Sequence, residues 1–143
     1  MKHDGPIIII EDDHDDQDMM IEVFKGLPYT NEILFFDDGL SALDYLNKEG
    51  KNCTPFMIIS DINLPILNGF ALRERIRTDA ELQLRCIPYI FLSTCMNKDT
   101  VRNAYGLNVQ GFFLKPNTYK KLQETINSIL NYWMLCAAPN YIK

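Results

Sequence analysis

Ile7-Ile8-Ile9-Ile10-Glu11-Asp12-Asp13 is the stretch that decides the fold: four β-branched apolar residues in succession run straight into three carboxylates. Apolar residues at consecutive positions, in place of strict alternation, mark a strand covered on both faces, as in a parallel sheet. Four further runs of the same character follow at 33–36, 56–59, 88–92 and 112–114, each bounded by Gly, Pro, Asp or Asn. Between them lie helix-compatible segments at 15–25, 39–48, 68–77 and 97–105, closed by glycines or opened by capping residues. A last helix from Thr118 to about Cys136 carries Leu122, Ile126, Ile129 and Trp133 at three- and four-residue spacing, an apolar stripe suited to a sheet face. Strand and helix therefore alternate five times. That order predicts an α/β fold, a (βα)5 doubly wound, five-stranded parallel sheet with right-handed crossovers and its ligand crevice at the carboxyl ends of the strands.

Length and composition agree. At 143 residues and 47% hydrophobic content, the chain is read as a single domain over 1–143, with its core at about 6–136 and a short C-terminal tail. Cys53, Cys86, Cys95 and Cys136 form no CxxC pair, which argues for reduced thiols and a cytoplasmic location over a zinc site or a disulfide framework. The apolar run 7–10 is too short for a signal peptide or a membrane span, so no membrane association is expected. A net charge of -5 disfavours nucleic acid as a partner.

The chemistry is expected where the strands end. Glu11 and Asp12 follow the first strand, and adjacent carboxylates in a ligand crevice are most easily tolerated with a hard cation such as Mg2+ between them. Asp15, Asp16 and Asp18 are read as a solvated acidic helix start. An EF-hand numbered from Asp13 fails, because Asp18 falls where the turn glycine belongs and Phe24 where the bidentate Glu belongs. An FMN site fails too, since the first loop is packed with negative charge where a phosphate would sit. Asp61 ends the third strand, Ser93-Thr94 the fourth and Lys115-Pro116 the fifth. A carboxylate, a hydroxyl, an ammonium and a metal cage suit phosphoryl transfer. A like-charge pair at 4 Å costs about 4 kcal/mol at an effective dielectric near 20, and a cation and a lysine offset it. His3 and His14 are the only histidines, and neither has an evident nucleophile to serve in acyl transfer.

At these residues the sequence resembles a response-regulator receiver domain, the phosphoacceptor module of two-component signalling. The matching segments are IIIIEDD at 7–13, IISDINLPILNG at 58–69, IPYIFLST at 87–94 and GFFLKP at 111–116. The resemblance implies a flavodoxin-like sheet in the order 2-1-3-4-5. It implies that Asp61 accepts a phosphoryl group from a sensor histidine kinase or a histidine phosphotransfer protein, with Mg2+ held by Glu11, Asp12, Asp61 and the carbonyl of Asn63. Ser93 and Lys115 would contact the phosphoryl oxygens, and Lys115-Pro116 would be a cis peptide. Phe112 stands at the family's switch position, with a plain core phenylalanine as the alternative. Cys95, two residues after Ser93, is expected to position water poorly and so to lengthen the phosphorylated lifetime. Such a protein is not an enzyme beyond its own phosphorylation and slow dephosphorylation. No output module follows the last helix, which implies a stand-alone regulator acting by docking. The consecutive apolar residues Tyr132 to Cys136 suggest a homodimer through the fourth predicted helix, the fifth strand and the last helix. Two alternatives compete with this reading. A haloacid-dehalogenase-like phosphatase needs a second Asp two positions after the nucleophile, where Asn63 stands. A phosphorylation-independent binding module needs none of the five key residues.

Overall fold

The computed structural model describes residues 3–49 and 53–137. Five strands, β1 (Ile7–Ile10), β2 (Ile33–Phe36), β3 (Met57–Ser60), β4 (Tyr89–Ser93) and β5 (Gly111–Leu114), form one parallel sheet in the order β2-β1-β3-β4-β5. The predicted order is the observed one. Six helices, α1 (His14–Lys25), α2 (Gly39–Lys48), α3 (Gly69–Thr78), α4 (Ala80–Leu84), α5 (Lys98–Gly106) and α6 (Tyr119–Leu135), cover it. The tail expected after the last helix lies outside the described residues from position 138 onward.

The unbroken apolar runs have a direct structural reading. Ile8, Ile10, Ile58, Tyr89 and Phe91 point into a core closed by α2, α3, α4 and α5. Ile7, Ile9, Met57, Ile59, Ile90 and Leu92 point the opposite way, into a core with Met20, Val23 and Phe24 of α1 and Leu122, Ile126 and Leu130 of α6. Each full burial of an aliphatic side chain stabilises by about 1.5–3 kcal/mol, so the central strands need apolar residues on both faces. The edge strand β2 is half-buried throughout.

Each helix opens on a side chain that accepts a backbone N–H: Asp13, Asp38, Asn68, Asp79, Asn97 and Thr118. Such a cap is worth about 1 kcal/mol and fixes where the helix begins, hence which residues remain at the strand ends. The simple five-fold alternation is corrected by α4. Asp79 ends α3 and caps α4, so the crossover from β3 to β4 holds two helices. The expected cis Lys115-Pro116 bond is also corrected: the described residues contain no cis peptide bond. Trans is the lower-energy isomer of an X-Pro bond, and Lys115 reaches its partners from it.

Beside the loop that follows Asp61, Gly39 and Gly69 sit where no side chain fits. A Cβ on Gly69 would lie 2.3 Å from the carbonyl oxygen of Asp61, and one on Gly39 would lie 2.1 Å from that of Leu67. The loop between Asp61 and Asn68 is thereby pressed between α3 and α2. Within it the Leu67 N–H donates to the Pro65 carbonyl at 2.7 Å, and Ile66 between them has φ 66°. A β-branched residue in that region is strained.

Candidate functional site

Parallel register brings the strand ends level. Ile10 pairs with both Phe36 and Ser60, Ser60 with Phe91, and Ser93 with Leu114, so Glu11, Asp61 and Lys115 emerge on one rim. The Asp61 N–H donates to the Ile10 carbonyl at 3.0 Å and the Lys115 N–H to the Ser93 carbonyl at 2.8 Å, which ties the end of β3 to β1 and the end of β5 to β4.

The Lys115 ammonium is the hub. It donates to Glu11 Oε1, to Asp16 Oδ2 at 3.2 Å and to Asp61 Oδ2 at 3.3 Å. Its side chain is 11% exposed, and those of Glu11 and Asp61 are 8% and 15% exposed. Burial raises the Glu11 carboxyl above its ordinary 4.5, opposed by the hydrogen bond and charge of Lys115 and the Asp13 N–H, with the Asp61 charge adding to the rise. For Lys115 burial acts downward, but the hydrogen bond to Glu11 and the charges of Asp61, Glu11 and Asp16 outweigh it and raise the ammonium above 10.5. The other oxygen of Asp61 accepts the Ile62 N–H at 2.7 Å. Asp61 therefore presents a carboxylate fixed by one backbone donor and one ammonium at the mouth of the crevice.

The remaining expected residues stand around this hub. Asp12 is exposed, its side chain making no hydrogen bond or ion pair among the described residues, and Asn63 is exposed in the loop after Asp61. Ser93 is buried, and its Oγ accepts the Cys95 N–H at 3.2 Å. Cys95 is half-buried, its sulfur 3.8 Å from Thr100 Oγ1 and 3.6 Å from Asn97 Nδ2. Phe112 is partly buried, its ring 6.2 Å from that of Phe91. Asp16 is the residue that strand-end reasoning misses. It lies in the first turn of α1, where side chains lean back toward the helix N-terminus and so toward the strand ends. Gly69 is the second, since its role is to let α3 approach the Asp61 carbonyl.

The donor set fits a hard divalent cation. Glu11, Asp16 and Asp61 bring three carboxylates to one ammonium, Asp12 follows Glu11 in the chain, and all their donors are oxygens, the ligand type a hard cation takes. Among the described residues no three acids, cysteines or histidines stand close enough together to hold a metal, and the ammonium lies between Glu11, Asp16 and Asp61.

Comparison with known proteins identifies the family. The response regulator receiver domain model matches residues 7–127. The probable methanogenesis regulatory protein FilR2 of Methanothrix harundinacea (strain 6Ac) is 31% identical over 130 residues, covering 90% of this chain and 83% of that protein. The crystal structure of the phosphorylated cyanobacterial phytochrome response regulator RcpA superposes with a TM-score of 0.83 at 27% identity, covering 94% of this chain and 98% of that one. The Mn2+-bound form of response regulator Rcp1 superposes with a TM-score of 0.81 at 29% identity, covering 94% of this chain and 99% of that one. With the family model spanning all five strands, the chain belongs to the response regulator receiver domain family.

Proposed function

We propose that the protein is a phosphoacceptor response regulator, in which Asp61 takes a phosphoryl group from the phosphohistidine of a sensor histidine kinase or a histidine phosphotransfer protein. The observation that carries this is the Asp61 carboxylate held against the Lys115 ammonium at 3.3 Å on the strand-end rim. An Asp61 oxygen attacks phosphorus, the P–N bond breaks and the imidazole leaves. Lys115 offsets the repulsion between the carboxylate and the incoming anion, and the Ile62 N–H orients the carboxylate. Glu11, Asp12, Asp61 and the Asn63 carbonyl would hold Mg2+, which supplies charge neutralisation at the phosphoryl oxygens when bound. Ser93, at the end of β4, would follow the phosphoryl group with its hydroxyl, and Phe112 would respond beside Phe91.

Beyond this self-modification and slow dephosphorylation the protein is not an enzyme. Asn63 stands where a phosphatase of the dehalogenase type needs its general acid. Output passes to a docked partner or a second copy through α5, β5 and α6, where Tyr105, Leu114, Tyr132 and Leu135 are exposed apolar side chains. The protein would act in the cytoplasm; all four of its cysteines are free thiols.

Incubation with Mg2+ and acetyl phosphate, followed by mass spectrometry, tests the central claim. One phosphoryl adduct is expected on the parent and none on Asp61→Ala. An adduct that survives in Asp61→Ala, or a parent that takes none, refutes the assignment.

A further inference from the structure

A buried guanidinium is costly unless a carboxylate compensates it. Arg73 of α3 is 8% exposed, yet no carboxylate pairs with it among the described residues. Its Nε donates to the Leu107 carbonyl at 3.0 Å and its Nη2 to the Asn108 carbonyl at 2.7 Å, while its Cζ lies 5.5 Å from the centroid of the Tyr89 ring. Among the described residues Nη1 has no acceptor. Because no buried side-chain nitrogen or oxygen of the described residues lacks a partner, Nη1 keeps access to solvent.

Arg73 also lines a cavity of about 500 Å3. Phe56, Ile87 and Pro88 line it just before β3 and β4 begin, whereas Asp61 and Ser93 lie at the far ends of those strands. At about 3.3 Å per residue the two places are on the order of 15 Å apart, so this cavity is separate from the acceptor crevice. Its walls are mainly apolar, with Trp133 of α6 opposite Ile76 and Leu82 of the α3–α4 segment. A second guanidinium, Arg77, lies on it and is paired with Glu74 at 2.8 Å. No Asp or Glu lines it, in a chain whose net charge is -5. The Gln110 amide is already committed, accepting the Tyr89 N–H at 2.7 Å and donating to the Asn108 carbonyl at 3.1 Å. The formal charge on the cavity wall is therefore cationic, beside the neutral amides of Gln83 and Asn108. Its volume lies in the range of small-molecule sites, which are apolar with a few placed polar groups.

We propose that this cavity is a binding site for a small organic anion, a carboxylate on a flat apolar body, with the carboxylate at Arg73 and the body against Trp133. The site requires both halves of that ligand: the cation has no protein counter-charge, and the apolar walls offer little to a bare ion.

Trp133 is the only tryptophan of the chain, so its fluorescence reports occupancy directly. The full chain is titrated with 3-phenylpropanoate, 3-phenylpropanamide and inorganic phosphate. Saturable change with the acid is expected, and binding at least about tenfold weaker for the neutral amide and for phosphate, because a charge-assisted hydrogen bond and the apolar contact each contribute about that much. Arg73→Met, checked for folding by circular dichroism, should weaken the acid by about tenfold or more and leave the amide unchanged. Arg77→Gln, at a residue already paired, should weaken the acid by a smaller factor. No saturable response up to ~10 mM, equal binding of acid and amide, or equal binding of acid and phosphate overturns the proposal. If Arg73→Met does not fold, the acid-to-amide ratio on the parent and the Arg77→Gln titration decide by the same criteria.

Discussion

Replacing Lys115 by Met keeps the length of the side chain and removes the only cation among the described residues that contacts Glu11, Asp16 and Asp61. Breaking a buried ion pair costs about 3–5 kcal/mol, whereas an exposed partner contributes about 0–1 kcal/mol. Glu11 and Asp61 are close to buried and Asp16 is 42% exposed, so the loss belongs at the lower end of that range, about 3 kcal/mol near pH 8. The loss also depends on pH in a defined direction. Burial already holds the Glu11 carboxyl above 4.5, and Lys115 supplies the two largest opposing influences. Without them the Glu11 carboxyl rises further. A group whose folded value is raised stabilises the native state fully below its unfolded value, and that contribution is lost as pH rises through the folded one. The variant therefore recovers stability by protonating Glu11, and its deficit shrinks by about 1 kcal/mol or more between about pH 8 and pH 5. Lys115 itself, raised above 10.5, stays charged across this window and contributes no slope in the parent. Urea unfolding of both proteins, followed by Trp133 fluorescence at each pH, measures the difference. A deficit below about 1 kcal/mol, or one that is the same at both pH values, would refute the view that the ammonium compensates buried carboxylates.

Three further outcomes are expected. Gly69→Ala should cost about 1–3 kcal/mol in chemical denaturation, because its Cβ would sit 2.3 Å from the Asp61 carbonyl oxygen; full stability would show that α3 can move away. Ile66→Asn should stabilise by about 1 kcal/mol, since asparagine tolerates φ 66° and Ile66 is 76% exposed; an unchanged or lower urea midpoint counts against strain at this residue. Cys95→Glu should shorten the phosphorylated lifetime by about tenfold, as a positioned carboxylate can orient water where the thiol does not; phosphate release no faster than in the parent disposes of that role for Cys95.

What the sequence made legible follows a physical rule. Glu11, Asp61 and Lys115 could be placed because each directly follows an apolar run, and parallel register then brings strand ends level. Strand limits slipped by one residue where polarity misled: Ser60 and Ser93 belong to β3 and β4 because they pair with Phe91 and Leu114, while Phe56 and Pro88 precede their strands. Helix α4, with five residues, is too short for its period to register, and Asp79 gives the same signal as a cap and as a stop. Asp16 could not be separated from Asp15 and Asp18 by composition, since only the geometry of the first turn of α1 sends it to Lys115. Arg73 was equally hidden. Its partners are carbonyls 34 and 35 residues away, and no local pattern marks them.

The loop after Asp61 is wedged at both ends, by the missing side chains of Gly39 and Gly69, and the Gly39 N–H donates to the Leu67 carbonyl at 3.1 Å. The two banks of the crevice consequently differ in compliance. On the Asp61 bank there is no slack, so a displacement of the carboxylate would have to push α2 and α3 bodily. On the Ser93 bank the chain passes through Cys95 and the exposed Met96 before the next helix begins. A displacement at the rim is therefore expected to be taken up on the side of α5 and the β5 edge, a bias set by two hydrogen atoms standing where side chains would otherwise be.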